Sequence, residues 1–298
     1  MKKSNIFIIL LLIFTLCMNL TAQENDSTEK KSKKRWRFDY HFIEDGFFYK
    51  GSPSIEAAYG QSDASLENYS SNVLDAGIFE LKIGWHKEKD VRNQNVVIYK
   101  NNFLHGAFIS SNIRASNSTS GAQSTLRFGF GSSRGYGYKL GNKASLLLYN
   151  SNSFTWTRYD YGAKIYTFEL EGHTFRKLDD FDKTLRFGST AEGGIIIPVG
   201  SIVNLQASYD RTIVFPRHLI LKHLGSIIIE TAGQSLIDGF VNAVLKSTPA
   251  AAPIVSFVLK SGLSYGLYEL RKEKMNWPFN SAEPLLFDSY KAGLTFTF

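Results

Sequence analysis

Cysteine is almost missing. The one cysteine in 298 residues is Cys17, which falls inside an apolar N-terminal run. Leu16 is too large for the position ahead of a lipidated cysteine, so Cys17 belongs to the run itself. If the run is removed on secretion, the mature chain has no disulfide and no thiolate-bound metal. Long apolar stretches are scarce as well. Residues 6–16 make only about 11, short of the roughly 20 that a spanning helix needs. No Walker phosphate loop is present. Gly129, Gly131, Gly135 and Gly137 sit on strand-like alternation with no following helix, so they read as sheet packing or bends. There is no convincing internal repeat.

Targeting and charge agree with secretion. Lys2 and Lys3 precede the apolar run, and Leu20-Thr21-Ala22 places small residues before Gln23. This is the layout of a signal peptide over residues 1–22. Its removal lowers the formal net charge from +7 to +5. Lys30, Lys31, Lys33, Lys34, Arg35 and Arg37 lie in a polar leader, 23–37. The rest of the chain is close to neutral. The basic balance therefore belongs to one tail, reads as a solvated arm, and gives no nucleic-acid-binding face.

From residue 38 onward, short alternating segments dominate. Phe79, Leu81, Ile83 and Trp85 alternate with Glu80, Lys82, Gly84 and His86. Leu126, Phe128 and Phe130 alternate with Arg127, Gly129 and Gly131. Tyr166, Phe168 and Leu170 alternate with Thr167, Glu169 and Glu171, and Val203 to Asp210 repeats the pattern. A period of two with one apolar and one polar face marks half-buried strands. Without a spanning helix, crossing a bilayer requires a closed barrel. The expected architecture is an all-β antiparallel membrane barrel over 38–298. At 9–11 residues per membrane strand and an even strand number, it has ten to twelve strands. Charged residues in mid-strand, Lys82, Arg127 and Glu169, are the lumen-lining candidates.

The stretch Ser289-Tyr-Lys-Ala-Gly-Leu-Thr-Phe-Thr-Phe298 places Tyr290, Ala292, Leu294, Phe296 and Phe298 on one face. It resembles the C-terminal strand of Gram-negative outer-membrane β-barrels. Glu192-Gly-Gly-Ile-Ile-Ile-Pro-Val-Gly200 has a similar look. The resemblance implies an outer-membrane location, lipids and the barrel-assembly machinery as partners, and Phe298 as an assembly signal. It extends to no characterised subfamily.

One region departs from period two. Ile220, Leu224, Ile227, Ile228, Ala232, Leu236, Phe240, Val241 and Val244 recur at helical spacing. Thr248-Pro249 then offers a cap and a first-turn proline for a second helix. A helical hairpin over 219–270 is thus expected before the last strand. Lys222, Glu230, Asp238 and Lys246 argue against its first helix lying in lipid, at about 2.5–3.5 kcal/mol for each charge near a bilayer centre. The expectation is a hairpin that plugs the lumen or packs at the periplasmic mouth, with Leu236 and Phe240 as plug residues.

Chemistry is thin. A hydrolase needs a serine beside a base; His105 with Ser110 and Ser111 is the nearest approach, without a compact His-x-Ser motif. Acids near His41 (Glu44, Asp45) and near His173 (Asp179, Asp180, Asp182) read as turns. His218 and His223 are five apart and share no helical face neatly. No catalytic residue, metal or cofactor is assigned. The favoured function is a transport or channel-type barrel acting on an unidentified small solute. A surface adhesin or structural barrel, and a lipid-modifying barrel hydrolase, are the alternatives.

Overall fold

The computed structural model describes residues 51–66, 74–91, 95–113, 123–140, 145–160 and 180–298. The signal peptide, the leader and Glu169 lie outside the described residues. Eight strands follow in order: β1 (Ser52–Ser65), β2 (Leu74–Asp90), β3 (Val96–Ser110), β4 (Ser124–Lys139), β5 (Ser145–Asp160), β6 (Leu185–Pro198), β7 (Val203–Val214) and β8 (Leu285–Thr297). Each pairs antiparallel with the next, and β1 pairs with β8, from Ser54 opposite Thr297 to Ser65 opposite Leu286. The sheet is a closed barrel. Closure satisfies the backbone without leaving an edge.

The count is eight, not ten to twelve. The strands run 12 to 17 residues, longer than the 9–11 that a crossing needs. Fewer, longer strands use up the same length of chain.

The barrel has two unlike ends. β1 starts, β8 finishes, and β2, β4 and β6 finish at one end, the turn end. The connections 66–73, 111–123, 161–184 and 215–284 leave from the other, the loop end. The last of these holds α1 (Ile220–Ser247) and α2 (Ala252–Arg271), joined by a short 3₁₀ turn at Pro249–Ala251. Pro249 breaks the first helix and opens the turn, as its ring and missing N–H require. The Thr248 side chain makes no capping bond; its backbone N–H donates to the Val244 carbonyl at 2.7 Å.

Alternation sorts the side chains as the period requires, but inside out relative to a soluble barrel. Glu56, Glu80, Lys82, Arg127, Glu192 and Lys291 point inward and are buried. Ile55, Phe79, Leu81, Ile83, Leu104, Phe108, Leu126, Phe128, Leu205 and Leu294 point outward and are exposed. An apolar exterior around a charged interior suits lipid, not water. The chain is a transmembrane β-barrel of the outer-membrane type.

Candidate functional site

Charged strand residues meet in the middle of the lumen. Lys82 Nζ reaches Glu192 Oε2 at 2.7 Å, Glu56 Oε1 at 3.0 Å and Glu80 Oε2 at 3.5 Å. Lys291 pairs with Glu80, with Asp210 Oδ2 at 2.8 Å and with Glu192 at 3.7 Å. Arg127 lies 3.7 Å from Asp210 and stacks over Phe287. Tyr149 donates to Glu192 at 2.8 Å, and the Gln206 amide donates to Glu56 at 2.8 Å. Lys82 and Arg127 face inward and are held in a bonded network rather than lining open space.

Apolar layers flank this network. Towards the loop end, inward-facing Ala64, Ile78, Ala107, Ile109, Val214 and Phe287 pack with Tyr159 and the loop residue Phe181. Towards the turn end, Tyr99, Leu147, Tyr149 and Ile196 pack together. An eight-strand barrel is narrow enough for side chains to fill; beyond the turn-end layer a cavity of about 180 Å³ remains beside Tyr99, Leu147 and Ile196.

The hairpin is not in the lumen. It lies against the outer wall. Asn150, which faces outward, donates to Ser261 of α2 at 2.8 Å. A Cβ placed on outward-facing Gly193 would touch Ser261 and Phe257, at 3.4 and 3.6 Å. Arg211, also outward, stacks on Tyr265 and Tyr268 of α2. Near the turn end, Tyr138 donates to the Ala250 carbonyl at 2.7 Å. The hairpin therefore leaves from the loop end and returns to it, with its tip near the turn end. This corrects both expected placements, plug and periplasmic mouth. Leu236 and Phe240 are half-buried on α1 and plug nothing. Ile237 and Val241 are the buried α1 anchors, set against Leu263 and Leu267 of α2.

The reason lies in the wall beneath the hairpin. Much of the outer face is apolar, but beneath the hairpin two cross-strand rows are polar or small. Ser132, Asn152, Ala191 and Arg211 form one cross-strand row; Arg134, Asn150, Gly193 and Tyr209 form the next. The hairpin covers this patch and turns Leu221, Leu224, Ile228, Ile254 and Val258 outward. The acids of α1 pair with bases of α2: Asp238 with Lys260 at 2.6 Å, and Glu230 with Arg271 at 2.8 Å. For Glu230 and Asp238 the expected penalty for charges in lipid is thereby reduced. The stretch Pro249–Arg271 is long and apolar enough to cross a membrane.

Between hairpin and wall lies a cavity of about 260 Å³. Arg134, Arg211, Lys260 and Arg271 line it against two acids, Glu230 and Asp238, with Phe130, Phe154, Ile213 and Leu267 as apolar surface. This site was missed in the sequence. The available signal was the break in outward apolar parity at Ser132/Arg134 and Asn150/Asn152, at one height on neighbouring strands.

The remaining candidates do not converge. His105 faces the lumen, 3.2 Å from Glu80, whereas Ser110 has the opposite strand parity and its hydroxyl donates to the Gln123 carbonyl. His218 and His223, with ring centroids 5.5 Å apart, join an aromatic cluster around Phe187. Among the described residues, no three metal-ligating side chains come together. His41, Glu44, Asp45, His173 and Asp179 lie outside the described residues. The backbone N–H of Phe298 donates to Pro53 at 3.1 Å, tying the last residue to the first strand.

No protein-family model matches the chain, and no curated protein matches it. Several solved structures are similar. Neisserial surface protein A (NspA) aligns at a TM-score of 0.38 with 10% identity, covering 83% of this chain and 97% of that one. Ail, the attachment invasion locus protein of Yersinia pestis, gives 0.35 and 9%, over 83% and 99%. The outer membrane protein OprG of Pseudomonas aeruginosa gives 0.29 and 9%, over 85% and 99%.

Proposed function

We propose that the chain is a non-conducting barrel of the outer membrane whose working surface is its outer wall, where the helical hairpin builds a binding site within the bilayer. One observation carries the reading: the charged middle of the lumen is bonded into a network, with apolar side chains packed on either side of it. An ion entering it would have to break buried charge pairs, each of which costs several kcal/mol when one partner is lost. This favours the binding or structural class over transport through the lumen. Transport of a small solute remains the competing reading, and conductance separates the two. Planar-bilayer recording of the refolded full chain should show no discrete conductance steps at ±100 mV. Reproducible unitary steps, altered by Lys82→Ala, would refute the non-conducting lumen and restore the channel.

A further inference from the structure

Arg211 is more than nine-tenths buried, at 8% relative exposure. It points outward from β7 into the cavity under the hairpin. Its Nε and Nη1 make no hydrogen bond. The guanidinium is held in place by three tyrosine rings, Tyr209, Tyr265 and Tyr268, at 4.9–5.5 Å. Its cross-strand neighbour Asp288 is the natural counter-ion, yet that carboxylate accepts the hydroxyls of Tyr209 at 2.7 Å and Tyr268 at 3.0 Å. The two acids of the cavity are likewise paired, with Lys260 and Arg271. A buried guanidinium with two nitrogens unbonded is costly unless something pairs with it. Its fork matches an oxyanion. Lys260 and Arg271 are thus matched by the two acids that line the cavity, and Arg211 is left without an ion pair there.

A second feature extends the site. On the other side of α2, a groove of about 740 Å³ runs over β6, β7, β8 and β1. Its floor is the small outward residues Gly193, Ala207 and Ala292, and its walls are Tyr209, Tyr290 and Phe257. Tyr209 stands between the two: it walls the groove, and Arg211, which lines the cavity, lies over its ring. An oxyanion beside an apolar channel on the lipid face describes one kind of ligand.

We infer that this is a lateral site for an anionic amphiphile of the bilayer, with its phosphate or carboxylate at Arg211 and its acyl chain along the Tyr209–Ala292 groove. The inference rests on the reading that the outer wall faces lipid. It names what that wall binds.

The test uses the full chain in a neutral detergent, its fold confirmed by heat-dependent gel mobility. Native mass spectrometry follows retention of phosphatidylglycerol against phosphatidylcholine of the same acyl chains. One equivalent of phosphatidylglycerol should be retained with at least a tenfold preference. Arg211→Gln should remove that preference, whereas Arg158→Gln, on an exposed outward position of β5, should not. If Arg211→Gln does not fold, Ala191→Leu supplies the second measurement, because it fills the cavity beside Arg211 and keeps the charge. Inorganic phosphate at millimolar concentration distinguishes the sources. Failure to displace the lipid supports a bilayer ligand; full displacement overturns the amphiphile and leaves a free-anion site. Equal retention of the two lipids by a folded, heat-modifiable barrel overturns the site while leaving the barrel reading intact. A product without heat-dependent mobility, soluble in water, removes the barrel reading itself.

Discussion

Replacing Lys82 with Met tests whether the lumen is held by its ion network. The change keeps most of the side-chain length and removes the charge. Lys82 is 4% exposed and contacts three carboxylates, at 2.7, 3.0 and 3.5 Å. Its loss leaves Glu192 with Tyr149 at 2.8 Å and the more distant Lys291 at 3.7 Å. Glu56 keeps only the Gln206 amide among the contacts described above. Breaking one side of a buried pair costs about 3–5 kcal/mol. Because Lys291 and two hydrogen bonds remain to share the stranded charge, the expected loss is near the lower bound, about 3 kcal/mol. Adding Glu56→Gln removes the charge left with the fewest partners, since a neutral amide oxygen still accepts from Gln206. The double variant should recover at least about 1.5 kcal/mol, within the range for groups sharing one network. The assay is urea unfolding of the refolded barrel in vesicles, read by tryptophan fluorescence and checked by heat-dependent mobility. A single variant within about 0.5 kcal/mol of the parent, or a double variant whose losses simply add, would refute the network as a source of stability.

Three further outcomes follow from the same geometry. Val241→Asp buries an unpaired carboxylate between α1 and α2, where Val241 is fully buried; the hairpin should loosen by more than about 3 kcal/mol, seen as hydrogen exchange gained in 220–271 with the strands still protected. Tyr138→Phe removes one hydrogen bond to the hairpin tip and should cost about 0.5–1.5 kcal/mol, with faster exchange confined to the turn around Pro249. Replacing 219–271 with a short Gly/Ser linker should leave a closed barrel, because β7 and β8 pair directly from Val203 opposite Phe296 to Val214 opposite Leu285. That variant should stay silent in bilayer recording, and a conductance gained on deletion would return the hairpin to the lumen.

Much of the barrel was legible because period two is imposed one strand at a time. Glu80 and Lys82 had to share a face opposite Phe79 and Leu81 whatever their partners. The inward placement of Lys82 and Arg127 followed from that alone. Strand number was not legible, since it depends on how far each strand continues past the bilayer, and the alternation of Phe79 to His86 does not mark where pairing stops. The hairpin was legible as two helices with a break at Pro249, because helical spacing and proline are local signals. Its position was not. Parity shows that Asn150 and Asn152 share a face with Leu148 and Phe154, but only the register reveals that Asn152 adjoins Ser132 and Ala191. A patch made by three strands is a non-local property. The pairing of Asp238 with Lys260 was hidden for the same reason: it needs the crossing of two helices, so the acids on α1 read as solvated or costly when considered alone.

The outer placement of the hairpin follows from two deficits that cancel. Arginine on the lipid face of a barrel costs about 2–4 kcal/mol near the midplane, and the wall presents Arg134 and Arg211 among Ser132, Asn150 and Asn152. An acid on a helix in lipid costs about 2.5–3.5 kcal/mol, and α1 presents Glu230 and Asp238. Apart, each surface is poorly suited to hydrocarbon. Together, the polar sides face one another across a small cavity, the acids meet Lys260 and Arg271, and Leu221 at 85% exposure and Val258 at 59% are left to face the acyl chains. The lumen offers the hairpin no comparable surface, because its own charges are already paired and flanked by packed apolar side chains. The hairpin is therefore held outside by complementarity with the wall, and Arg211, buried between them without a hydrogen bond at Nε or Nη1, is the part of the joint that this complementarity does not satisfy.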